Sequence, residues 1–442
     1  MSHTDLTQGS IIRQLVKYSI PLVLSSLLQS LYGMVDMLVV GHYIGATGLS
    51  AVNNSSQVML MITNVLIGIC TGGNILIGQY FGAKDRKNCH ESTVTLFSMS
   101  MVLGAVLSLA FFLASRTILV MLGAPALEEA TVYLRTCSLG IIFIIGYNAA
   151  SAALRAAGNS RDPLACIAVA TVINIALDIV FVGYMDMGTF GAALATIAAQ
   201  AISFFVSLSF VLKNYEVFGL SLKKPYIRFD KLKTILKLGI PCAIQMSIAS
   251  ISWLSVTYII NSYSVIVSAG NGVAVKIKNF CQLFIVAMCN ASTAMIAQCI
   301  GAREYDRARK VMYTTMGITI SISVVLIVIV ELFAWELSSL FTSDADTIAA
   351  SVMNLRIEIL GQLFYASFLV YHTLALGSGH TWFAFFSSFV NCILVRVPLA
   401  FILNHFFGLS GLYWACMIAP GSSVPIGLWY ERSNRWRRGL PE

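Results

Sequence analysis

Long apolar runs separated by short polar stretches dominate the chain from residue 15 onward. A helix needs about 20 mostly apolar residues to cross a bilayer. Reading each run between breaks of charge, Gly and Pro predicts twelve spans, at 15–40, 52–78, 92–115, 131–154, 163–184, 190–212, 234–260, 272–298, 311–334, 350–376, 382–404 and 409–430. The runs are too long for barrel strands and lack their alternation, so the expected class is an all-α polytopic membrane protein. The first run contains Pro21, continues to Val40 and meets no small-residue cleavage signature. It is therefore read as a span and not as a signal peptide.

The pattern also repeats. Leu15–Pro21 matches the segment ending at Pro241, and Gly-Gln-Tyr-Phe-Gly-Ala-Lys-Asp at 78–85 matches Ala-Gln-Cys-Ile-Gly-Ala-Arg-Glu at 297–304. Gly158-Asn159-Ser160 matches Gly379-His380-Thr381, and Gly188…Gly191 matches Gly408…Gly411. Four anchors in one order at a nearly constant offset indicate an internal duplication. Six spans per half is an even number, so the halves run the same way through the membrane, related by an axis along its normal. The expected domains are a first six-helix bundle at 1–212, a basic linker at 213–233, and a second bundle at 234–442 with a basic tail. Two parallel-repeat bundles are expected to face a central cavity and to rock about it.

Composition supports lipid as the solvent. The 442 residues are 57% hydrophobic and 11% charged, with a mean hydropathy of +0.81. Soluble domains carry roughly 25% charged residues. The ten cysteines lie mostly in apolar runs without CxxC spacing, and read as small buried hydrophobes.

Charge sets the expected orientation. With the N-terminus in the cytoplasm, the inside segments hold Arg13, Lys84, Arg86, Arg155, the linker basics including Lys223, Lys224 and Arg228, then Arg303–Lys310 and Arg432–Arg438. The outside loops hold only Arg116 and Arg356, together with Glu128, Glu129, Asp344 and Asp346. Both termini are thus expected inside. The basic tail reads as an anchor on acidic lipid and not as a nucleic-acid patch.

An acid at the bilayer centre costs roughly 2.5–3.5 kcal/mol on insertion scales, so each one needs a reason. Asp36 and Asp178 sit well inside spans, late in the first and the fifth, hence at similar depth. Glu331 and Glu358 are expected nearer the outer ends. Gln29, Tyr32 and Asp36 are spaced 0, 3, 7, one stripe of a helix, as are Thr171, Asn174 and Asp178. Asn148 and Ser151 share a face of the fourth span, and Thr196 lies in the sixth. Such oxygens suit a hard cation such as Na⁺. Neighbouring buried acids also raise each other's proton affinity, so the same cluster suits H⁺. The bland reading is a set of hydrogen bonds between helices. The second half is expected to carry Lys276, Lys278 and Arg396 without a central acid; the lysines either meet an anionic group or lipid, or snorkel.

No GxxxxGK[ST], HExxH or strand-linked GxGxxG occurs, which argues against an enzyme and against an ATP-driven pump within the chain. The paired Gly-Gln-Tyr-Phe-Gly-Ala and Gln-Cys-Ile-Gly-Ala segments, Leu-Arg-Ala-Ala-Gly-Asn-Ser at 154–160 and Gly-Ala-Ala-Leu-Ala-Thr at 191–196 resemble the multidrug and toxic compound extrusion (MATE) family over nearly the whole chain. The resemblance implies H⁺- or Na⁺-coupled antiport of amphipathic, often cationic compounds by alternating access, with no other cofactor. It also implies a multi-pass monomer in a prokaryotic plasma membrane, with small molecules and the bilayer as partners and no nucleic acid.

Carried over by position, the family's first-span acid falls on Asp36, its Asn-xxx-Asp pair on Asn174 and Asp178, its sixth-span Thr on Thr196 and its fourth-span Asn on Asn148. A cavity Gln falls on Gln29, with Tyr32, Tyr147 and Ser151 as further substrate contacts. This is similar to the DinF-like branch. The NorM-like branch has acids in the seventh and tenth spans, where 246–253 and 361–366 carry none. The alternative function is a flippase for lipid-linked sugars, suggested by Lys276, Lys278 and Arg396.

Overall fold

A computed structural model describes residues 5–220 and 226–438. Lys223 and Lys224 of the basic linker lie outside the described residues, as does the side chain of Arg438. Among the described residues there is no strand. The long helices are α1 (Ile11–Tyr43), α2 (Gly45–Gly82), α3 (Arg86–Met121), α4 (Leu127–Leu139 and Ile141–Ala156, bent by 44°), α5 (Arg161–Tyr184) and α6 (Gly188–Lys213). They continue as α7 (Phe229–Asn261), α8 (Val265–Gly301), α9 (Tyr305–Ser339) and α10 (Ala345–Gly377).

The stretch Thr381–Arg432 is 52 residues long, too long for one crossing, and it breaks at Gly408 (φ 61°, ψ −146°). That backbone conformation is nearly restricted to glycine. The break yields α11 at 381–407 and α12 at 409–432, and hence the twelve spans expected from the hydropathy pattern.

The repeat anchors are backbone anchors. Left-handed φ values fall at Lys84 (57°) and Arg303 (61°), at Gly158 (78°) and Gly379 (84°), and at Gly188 (57°) and Gly408 (61°). Each pair occupies matched positions of the two sequence repeats. Such residues end one helix and turn the chain into the next. After Lys84, the Asp85 carboxylate accepts from the Asn88 N–H at 3.1 Å and caps α3. This bond and the Asn88 side-chain amide hold its carboxyl below the usual carboxylate range.

Close contacts divide the helices into two units. The first takes in Ile20–Ala243 and the second takes in Leu6–Ser19 with the chain from Ile244 on. The division falls inside α7 and not within 213–233. The reason is that α7 is one continuous helix whose first turns pack on α2. A Cβ on Gly72 would lie 2.5 Å from the Ile235 carbonyl oxygen, and one on Gly68 would lie 2.4 Å from Ala243 Cα. The Lys231 ammonium donates to the Tyr80 hydroxyl at 2.9 Å, and Arg228 pairs with Glu91 at 3.0 Å.

The first unit's core holds Val40, Val52, Tyr133, Cys137, Val182, Ala192 and Ala193. In the second unit, Val256, Ile259, Ile260, Leu412 and Tyr413 form one cluster and Ala274, Ile277, Val330 and Leu355 another. Here the lead-in to α1 is tied down. The Leu6 N–H donates to Gln298 Oε1 at 3.1 Å, and Arg307 donates to the carbonyls of Leu6, Gln8 and Gly9. All ten cysteines are buried and unbridged.

Candidate cation-coupling site

The first unit buries its intramembrane acids together. Asp36, two turns from the end of α1, is 6% exposed, and Asp178 on α5 is fully buried. The two carboxylates lie within electrostatic reach of one another, and both reach Tyr32, whose side chain faces Thr196 on α6. Asn174, one turn before Asp178, is also fully buried. Their oxygens are idle: Asp36 Oδ1, both Asp178 oxygens, Asn174 Oδ1 and Thr196 Oγ1 have no hydrogen-bond partner.

Idle buried acceptors are costly, at about 1–3 kcal/mol each and more for a charged group. A proton or a hard cation would satisfy them. The donor set is all oxygen, which fits Na⁺. It lacks the third acid or imidazole of a transition-metal site, and no cluster of three such side chains occurs among the described residues.

Local backbone structure positions Asp178. It ends the regular part of α5, and Ile179–Tyr184 form a π-helical turn. Such turns rotate side chains out of the α register and are frequent at functional sites. Gly191 of α6 allows the close approach of α5: a Cβ there would fall 3.2 Å from the Phe181 carbonyl carbon.

The other expected residues separate into two groups. Gln29, Tyr32, Tyr147 and Thr171 line a small cavity of about 50 Å³, joined by Gln200 and Ser203. Tyr147 also faces Ser151, which is fully buried. Asn148 donates its amide to the Ile144 carbonyl of its own helix at 2.8 Å. Gln200 and Ser203 went unremarked in the sequence, although they extend the Thr196 stripe at spacings 0, 4, 7.

The second unit corrects one expectation. Glu358 is not a free acid: it is 6% exposed and forms a buried ion pair with Lys278. Lys278 also sits over the Trp253 ring at 4.2 Å. The second half therefore carries a buried acid, three residues before the acid-free window 361–366. Glu331 is half-buried beside Arg356 at 3.9 Å.

The fold and this buried polar chemistry define a polytopic helical membrane transporter. The chain belongs to the MatE family, whose model matches residues 21–180 and 241–402. It is 29% identical over 410 residues to the probable multidrug resistance protein YoeA of Bacillus subtilis (strain 168), covering 90% of this chain and 88% of that protein. It is 27% identical over 418 residues to the probable multidrug resistance protein NorM of Thermotoga maritima, covering 92% and 89%. A crystal structure of MATE in the straight conformation superposes with a TM-score of 0.92 at 21% identity over 98% of each chain. The chain is thus a multi-pass membrane protein and not an enzyme.

Proposed function

We propose that this chain exports amphipathic small molecules, often cationic, from a prokaryotic cell across the plasma membrane in exchange for H⁺ or Na⁺. The relatives' names as multidrug resistance proteins support the substrate class. The observation that carries the coupling is the Asp36–Asp178 pair, buried with idle oxygens beside Asn174 and Thr196. In this reading, cation entry neutralises the pair, and its return to the charged state is tied to alternating exposure of the site. Gln29, Tyr32, Tyr147 and Ser151 are the proposed substrate contacts. Both termini are assigned to the cytoplasm by the distribution of Lys and Arg.

The test is efflux of a cationic dye such as ethidium from proteoliposomes under imposed proton or sodium gradients. Gradient-driven transport should require Asp36 and Asp178. Undiminished transport by the Asp36→Asn/Asp178→Asn double variant would overturn the proposal.

A further inference from the structure

Arg396 presents the opposite chemistry in the second unit. It closes the π-helical turn Val390–Arg396 of α11 and is 6% exposed. A guanidinium keeps its charge in a protein, so burial cannot neutralise it. Yet among the described residues it makes no hydrogen bond or ion pair, and its Nε has no partner. Its one charge-stabilising contact is the face of Trp253, 5.1 Å away.

The neighbouring charges do not balance it. Lys278, Glu358 and Arg396 all lie within electrostatic reach of Cys416. The single acid of this centre, Glu358, gives Oε2 to Lys278 and keeps Oε1 without a hydrogen-bond partner. Two buried cations thus face one carboxylate. A buried charge without a counter-ion costs several kcal/mol. Asn391 Oδ1, on the same π-helical turn as Arg396, is also buried without a partner.

The repeat sharpens the contrast. By the anchor that these two helices share, Pro21 and Pro241, Trp253 stands opposite Gly33, the neighbour of Tyr32. At neighbouring places in the repeat, Tyr32 keeps company with two acids and Trp253 with two cations.

We propose that the Arg396–Trp253–Lys278 centre is an oxyanion subsite: it takes the carboxylate or phosphate group of an amphipathic substrate. Arg396 is the principal ligand, because its planar fork matches two oxyanion oxygens. Lys278 supplies field while Glu358 holds it in place. The chain then handles anionic or zwitterionic amphiphiles as well as cations. This rests on the export reading and extends it, while the binding chemistry stands apart from coupling.

The test compares equilibrium binding of pyrenebutyrate, pyrenebutanol and pyrenebutylammonium to the purified full chain in phosphatidylcholine nanodiscs. The three share one apolar body and differ in charge. The wild type should bind the carboxylate more tightly than the alcohol. Arg396→Gln should weaken pyrenebutyrate about tenfold or more, leaving pyrenebutylammonium within about twofold, and Arg396→Lys should retain part of the preference.

Equal weakening of all three probes, or of none, would overturn the proposal. If Arg396→Gln does not fold, the wild type and Arg396→Lys decide: a wild type that binds acid and alcohol alike overturns it. Competition by added phosphatidylglycerol would identify a lipid headgroup as the natural source of the oxyanion, and its absence a soluble amphiphile. Failure of gradient-driven ethidium efflux by the same purified chain reconstituted in proteoliposomes would sink the export reading alone.

Discussion

Asp36 and Asp178 come from the first and fifth helices and lie within electrostatic reach of one another in the interior of one unit, with neither oxygen of Asp178 hydrogen-bonded. A pair built for stability would have its acceptors filled, since each idle buried acceptor costs folding energy. The arrangement leaves room for a proton or a small cation.

Asp36→Asn and Asp178→Asn keep the shape of the side chain and remove its charge. Each single variant is expected to lower gradient-driven efflux about tenfold or more, with substrate binding kept within a few-fold. The two together should be no worse than the more severe single one, because the residues act as a unit. The check is transport in proteoliposomes beside equilibrium binding of the same dye. Independent, multiplying losses would show that the acids do not share one cation.

In the second unit, the Lys278–Glu358 pair tests a different balance. Removing one partner leaves an uncompensated buried charge, at a cost of about 3–5 kcal/mol. Lys278→Met and Glu358→Leu should therefore each lower the melting temperature in detergent clearly, while the double variant recovers most of the loss. A double variant as unstable as the sum of the singles would mean that the two do not act as a pair.

That pair also marks how far the sequence could be read. The twelve spans were legible because the bilayer demands long apolar runs, and the repeat was legible because left-handed turns at Lys84, Gly158 and Gly188 recur at Arg303, Gly379 and Gly408. The first-unit site could be found from the stripe Thr171, Asn174, Asp178. Ser351, Asn354 and Glu358 have the same 0, 3, 7 spacing and are all buried, so Glu358 was within reach of the same rule. What hid it was Arg356, two residues away, which suggested a membrane surface. Pairing with Lys278 across 80 positions is a tertiary fact that no local spacing reports.

Glycines on α2 set the packing of the first unit. Gly72→Ala would drive a Cβ to 2.5–2.8 Å of the backbone of Ile235 and Gly239, where nothing flexible can yield. Overpacking costs of about 1–3 kcal/mol or more are expected. Gly272 on α8 is the control, since a Cβ there meets nothing within 4 Å. Gly272→Ala should be neutral or stabilising by roughly 0.5–1 kcal/mol through helix propensity. Thermal unfolding in detergent, read by size-exclusion, separates the two. Equal behaviour would mean that α7 does not depend on this close approach.

Arg307 supports the last prediction, on how the chain's beginning is held. Its guanidinium donates to the carbonyls of Leu6 (3.2 Å), Gln8 (3.0 Å) and Gly9 (2.9 Å), and to Gln14 Oε1 (3.0 Å). Four acceptors at different angles are a task for a planar fork with five N–H donors, which an ammonium on a flexible stem cannot reproduce. Arg307→Ala should raise amide exchange over residues 6–14 about tenfold or more without changing the exchange of α9 itself, because the lost bonds belong to the segment and not to the helix. Arg307→Lys should resemble Arg307→Ala more than the wild type. If lysine restores full protection, charge alone holds the segment, and the four directed bonds contribute little.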